Sequence, residues 1–166
     1  GRSRHHAHRV ARRVAGDTTS RPVVASPADE RNPTLSPDGR WLAYSSNETD
    51  GRDELYVASF PDGGARQLVS RSGGTEPRWR ADGRELYFRG NGRMMAVAVT
   101  PGPALKLGDP VALFDDGVYA RSIQHRQYDV TADGRRFVMI RRLGRERASQ
   151  LVYAHDFLSE LKAKMR

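Results

Sequence analysis

The sequence predicts an all-β fold of small antiparallel sheets repeated along the chain, and three observations predict it. An Asp-Gly turn recurs, short strand-like runs lie between turn signals, and the run after each turn is apolar on both faces. The first copy of the turn is Ser36-Pro37-Asp38-Gly39-Arg40-Trp41-Leu42-Ala43-Tyr44. The second is Arg80-Ala81-Asp82-Gly83-Arg84-Glu85-Leu86-Tyr87-Phe88, and the third Thr131-Ala132-Asp133-Gly134-Arg135-Arg136-Phe137-Val138-Met139. Their glycines lie 44 and 51 residues apart. A four-strand unit repeating at that period is one blade of a β-propeller. The expected architecture is a partial β-propeller of about three four-stranded antiparallel blades, with a short C-terminal helix.

The turn chemistry explains why these residues recur. Pro37 pre-sets φ for the first turn position and Asp38 tolerates the next. Gly39 then takes the left-handed conformation that closes a bulged hairpin, where a Cβ costs about 1–2 kcal/mol. Ala81 and Ala132 replace the proline, so the shared elements are Asp82-Gly83 and Asp133-Gly134.

Taken in order, residues 1–20 hold few apolar side chains and read as a disordered basic tail. Residues 21–157 read as the propeller. Pro22-Val23-Val24-Ala25 is a stray outer strand. The first blade, about 31–69, has strands expected at 32–36, 41–46, 54–60 and 66–69, with turn signals between all of them. The second, about 75–114, repeats the order at 76–79, 85–89, 94–99 and, after a loop rich in Pro and Gly, 110–114. The third, about 126–155, offers 127–131, 136–141 and 150–154, and is short of its outer strand. Trp41 and Ala43 point one way and Leu42 and Tyr44 the other, which suits a blade packed between two others better than a sheet with one wet face. Asp156 as an N-cap, with Leu158, Leu161 and Met165 at helical spacing, predicts a helix over 158–166.

Composition bounds the function. The chain has 166 residues, no cysteine, 16 glycines, 9 prolines and a net charge of +8. The absence of cysteine excludes a disulfide framework and a thiolate metal site. Residues 1–21 carry six arginines against one acid, so most of the excess charge sits in the tail and the body has a mixed-charge surface. That distribution argues against nucleic acid as a partner of the body, and leaves the tail as a possible basic arm for phosphate or anionic lipid. No run of 18 apolar residues is present, so no membrane span is expected in this chain. The chain opens on glycine, and the simplest expectation is that it is a piece of a longer polypeptide.

The first turn, with Glu54-Leu55-Tyr56-Val57 after it, resembles the WD-like repeat of TolB-type β-propellers. Residues 40–60, then Gly73-Gly74-Thr75-Glu76-Pro77-Arg78-Trp79 and Gly92-Arg93-Met94-Met95-Ala96-Val97, resemble a subgroup found at the C-terminal end of bacterial serine/threonine protein kinases. Tyr128-Asp129-Val130, Phe137-Val138-Met139 and residues 157–162 resemble the last blade and closing segment of that group. The resemblance covers about residues 21–162, with Ala81 and Ala132 departing from the usual proline. It implies a non-catalytic interaction or sensing module, an extracytoplasmic location, and further blades upstream, because three blades do not close a ring of four to eight. Open ends are expected to expose apolar blade faces and strand edges. None of the kinase motifs is present, so no kinase residue is carried over.

The sequence carries no constellation that marks catalytic, cofactor-binding or metal residues. His5, His6 and His8 sit in the tail without a distant partner to complete a cage. No Gly-x-Ser-x-Gly elbow is present, which argues against the alternative, an accessory propeller of a prolyl-oligopeptidase-like peptidase. Asp38, Asp82 and Asp133 belong to equivalent turns that a ring holds apart, so turn formation is their expected role. Asp115-Asp116 and Asp50/Asp53 lack the alternating ligands of a calcium loop. A protein or small ligand is expected at the propeller mouth, carried by inter-blade loops on a rigid scaffold. The candidate loops are 47–53, 71–76 and 115–126.

Overall fold

The computed structural model describes residues 9–11, 21–100, 102–122, 125–142 and 149–154. They form three successive antiparallel sheets and one small additional pair of strands. The additional pair joins β1 (Arg9–Ala11) to β2 (Arg21–Val24). Blade 1 contains β3 (Glu30–Leu35), β4 (Trp41–Ser46), β5 (Glu54–Ser59) and β6 (Arg66–Leu68), hydrogen-bonded in that order. Blade 2 contains β7 (Thr75–Trp79), β8 (Glu85–Gly90) and the long β9 (Arg93–Thr100). Its outer position is shared: β10 (Lys106–Leu107) pairs one end of β9 and β11 (Val111–Asp115) the other. Blade 3 contains β12 (Tyr128–Val130), β13 (Phe137–Arg142) and β14 (Ser149–Ala154).

The Asp-Gly turns connect the first and second strands of each blade. Gly39, Gly83 and Gly134 have φ of 71°, 71° and 73°, the left-handed region that the turn chemistry requires. The innermost strands of blades 1 and 2 share a second irregularity. Asn32 and Glu76, each preceding a proline, have φ of 52° and 54°, and the register slips between Arg31 and Thr34 and between Thr75 and Arg78. The residue before proline is disfavoured in the right-handed helical region, and here it takes the left-handed one at a bulge.

Period-two alternation sends successive side chains of each middle strand into different inter-blade layers. Trp41, Ala43, Leu55 and Val57 of blade 1 pack with Trp79, Leu86, Phe88 and Val97 of blade 2. Tyr87 and Met94, on the other face of blade 2, pack with Tyr128, Phe137 and Met139 of blade 3. Leu42, Tyr44, Tyr56 and Ala58 face upstream and meet Val23 and Val24 of β2.

Two expectations are corrected. Arg9–Ala11 lies in the stretch expected to be a disordered tail, yet it is a strand, because β2 offers it an antiparallel partner. The upstream face of blade 1 is not bare: β2 covers its outer half, leaving Tyr44 and Ala58 fully buried. The rest of 1–20 other than 9–11, and the helix expected over 158–166, lie outside the described residues. No helix among the described residues is long and apolar enough to cross a membrane.

Candidate functional site

Antiparallel order fixes which connections share an end of the blades. The loops 47–53, 69–74 and 91–92 and the described parts of the 116–127 connection, 116–122 and 125–127, open on one end, and the Asp-Gly turns lie on the other. The three loops singled out from the sequence are therefore neighbours, and the repeated turns are remote from them.

The loop end is assembled by buried and partly buried polar groups. Arg31 bridges Asp29 at 2.9 Å and Asp53 at 2.8 Å, and the Asp29 N–H donates to Asn47 Oδ1 at 2.9 Å. Glu54, only 1% exposed, receives the Gly73 N–H on both carboxylate oxygens at 3.0 Å and the Ser70 hydroxyl at 2.5 Å. The Gly74 N–H donates to Asp53 O at 2.9 Å. On the other flank of this loop, a Cβ at Gly90 would fall 2.3 Å from Gly73 O, so only glycine allows that approach.

The connector from blade 2 to blade 3 is held by a cluster of four charges centred on a fully buried arginine. Arg89 donates from Nε to Asp116 Oδ2 at 2.6 Å, and its Nη1 lies 3.5 Å from Glu76 Oε1. The same guanidinium donates to the backbone carbonyls of Asp116, Tyr119 and Ala120. Arg121 donates to Asp116 Oδ1 at 2.6 Å. Glu76 accepts the Gln127 N–H at 2.6 Å, and its carbonyl accepts the Tyr128 hydroxyl at 2.7 Å. Burial raises the Glu76 carboxyl above its usual range, opposed by the Gln127 N–H and by Arg89 and Arg121. Burial likewise pushes the Tyr128 hydroxyl well up. The left-handed backbone at Glu76 places its carbonyl and its carboxylate on blade 3 together.

Between blades 1 and 2 the loop end opens into a cleft of about 500 Å³, with Phe88 and Met95 among its apolar walls. Ser70, Arg71 and Asn91 lie at its loop-end margin and Asp109 on its outer side. Val118, in the 116–127 connector, is 57% exposed. Together they present a mixed surface of charge, amide and apolar area on rigid sheets.

No family model matches the chain, and no curated protein does. Among solved structures, a protein described as TolB from Agrobacterium tumefaciens superposes with a TM-score of 0.52 at 17% identity, over 83% of this chain and 49% of that one. The fold is a TolB-like β-propeller. A protein described as a 6-phosphogluconolactonase from Bacteroides uniformis superposes at 0.50 with 13% identity, over 87% and 46%. TolB from Acinetobacter baumannii superposes at 0.41 with 15% identity, over 83% and 44%. The chain spans less than half the length of each.

In this TolB-like propeller the aspartates of the repeated turns bond locally. Asp38, Asp82 and Asp133 accept the N–H of Arg40, Arg84 and Arg135 at 3.1, 3.0 and 3.0 Å. The Ser36 hydroxyl holds the Asp38 carboxyl below its ordinary range, and the Thr131 hydroxyl does the same for Asp133. Pro37 is exposed beside the first turn. Among the described residues no group of three acids and histidines is placed to hold a metal. His5, His6 and His8 lie outside the described residues, and His125 is exposed. Sequence reasoning missed Glu76, Arg89 and Arg121, and weighed Asp116 only as a calcium ligand. One signal was available: Arg89 closes an otherwise apolar run on a strand expected to be buried on both faces.

Proposed function

We propose that this chain is a non-catalytic interaction or sensing module, the C-terminal part of a TolB-like propeller in a larger bacterial signalling protein such as a serine/threonine kinase. Its partner is a protein or small ligand engaged at the loop end. The observation that carries this reading is the gathering of loops 47–53, 69–74 and 116–127 at one end, the first tied down by partly buried polar groups and the other two by buried ones. Ordering these loops in advance lowers the entropic cost of association. The kinase context rests on the resemblance of residues 40–60, 73–79, 92–97 and 128–139 to propellers of that group.

The test compares the two ends. Arg71→Glu with Val118→Asp alters exposed side chains of the loop end, and Ala81→Asp with Ala132→Asp alters the turn end. The reading expects the first pair to abolish the parent protein's partner binding with an unchanged melting curve, and the second pair to leave binding intact. Equal loss from both ends, or turnover by the isolated chain, contradicts it.

A further inference from the structure

The strand before blade 1 has the sequence signature of an outer strand. Arg21-Pro22-Val23-Val24 matches Arg66-Gln67-Leu68-Val69 in register, and Val24, Val69 and Leu113 lie 45 and 44 residues apart. Each is 7–8% exposed and packs on the blade that follows it: Val24 with the cluster of Tyr44, Val69 with that of Phe88, Leu113 with that of Phe137. So β2 stands where β6 and β11 stand. It pairs antiparallel with β1 through Ala11↔Arg21, as β6 pairs with β5.

The inner half of blade 1 shows the complement. The residue four before each turn glycine seats on the preceding blade. Trp79 is 4% exposed and donates its indole N–H to Thr34 O at 3.2 Å, and Val130 packs on the layer containing Tyr87. Leu35 holds the same position and is 44% exposed. Among the described residues, β1 pairs with β2 alone.

We propose that β1 and β2 are the outer half of a fourth blade, and that Leu35 with the inner edge of β1 is the docking surface for its inner half. The occupant is an antiparallel β-hairpin with an apolar face, preceding β1 in the same polypeptide. In blades 1 and 2 the strand next to the third one precedes it through a direct loop, 47–53 or 91–92, and the same connection reaches β1. The inference rests on the reading of the chain as part of a longer propeller, and it assigns the residues at which that propeller continues.

Two measurements test it. Opposed residues of an antiparallel pair have Cα atoms within disulfide range. In the full 166-residue chain, Ala11→Cys with Arg21→Cys is expected to oxidise at least roughly tenfold faster than Ala11→Cys with Val23→Cys. Equal rates, the behaviour of a disordered tail, overturn the half-blade. Leu35→Cys is then labelled in this chain and in the natural polypeptide extended upstream. Labelling slowed roughly tenfold or more in the longer protein is expected; equal labelling overturns the docking surface. A dimer of the 166-residue chain that Leu35→Asp disperses assigns the surface to a second copy and overturns the proposed occupant. None of these variants touches the loop end, so their failure leaves the interaction reading to stand or fall on its own test.

Discussion

Replacing Arg89 with methionine removes the centre of the connector's anchorage while keeping its volume roughly filled. The guanidinium is wholly buried, and its carboxylate partners Asp116 and Glu76 are 0% and 1% exposed. Removing one partner of such a set leaves uncompensated buried charge, at a cost of about 3–5 kcal/mol. Three carbonyls, of Asp116, Tyr119 and Ala120, lose a donor as well. Arg121 retains its bond to Asp116, which places the estimate toward the lower end of that range. Against a total stability of about 5–15 kcal/mol, the loss is large, and at about 2–4 °C per kcal/mol it lowers the melting point by roughly 6–20 °C. Urea titration reads the free energy, and hydrogen exchange of residues 116–122 shows whether the connector opens first. Arg89→Met with Glu76→Gln and Asp116→Asn removes the stranded charges and is expected to recover part of the loss. A cost below about 1 kcal/mol for Arg89→Met, or a triple variant no more stable than the single one, refutes the reasoning.

Further outcomes follow from other contacts. Gly90→Ala forces a Cβ to within 2.3 Å of Gly73 O and is expected to cost about 1–3 kcal/mol by overpacking. Gly39→Ala meets nothing within 4 Å but keeps φ at +71°, so its cost is the backbone strain alone, about 1–2 kcal/mol; unchanged urea midpoints contradict either. Trp79→Ala opens the layer between blades 1 and 2 and should cost about 3–5 kcal/mol, whereas Leu35→Ala should stay near 0.5 kcal/mol or less, about the size of a surface change. The lowered carboxyls of Asp38 and Asp133 contribute stability that is present above their ordinary value of 3.8 and lost as pH falls through their folded values. Asp38→Asn with Asp133→Asn should therefore flatten the acid limb of the stability profile; an unaltered limb contradicts that. Burial pushes the Tyr44 hydroxyl up to about 12, so absorbance titration of Tyr44→Phe should lose a transition there and none near 10.

The blades were legible because their signals are local. Asp-Gly turns, alternation in Trp41-Leu42-Ala43-Tyr44 and strand-length runs all act within a few residues, and the layers they feed are the observed ones. The two-sided burial of Leu86, Tyr87 and Phe88 follows from the same period. The strand at Arg9–Ala11 was not legible, since three residues in an arginine-rich stretch become a strand only when β2 is placed beside them. The division of the outer position of blade 2 between β10 and β11 depends on the length of β9, which composition does not set. The Arg89 cluster joins residues 76, 89, 116 and 121, and no spacing rule links them. Charges at such separations look like surface charges until the sheets stack.

The claim that the loop end is the recognition surface is tested most directly by site-directed photocrosslinking in the parent protein. A photoreactive residue is placed at Val118 or Arg71 on the loop end, and at Ala81 or Ala132 on the turn end, under conditions where the partner is bound. The account predicts one specific adduct from both loop-end positions, competed away by the unlabelled chain, and no specific adduct from the turn end. Adducts formed equally from both ends, or from Ala81 and Ala132 alone, contradict it.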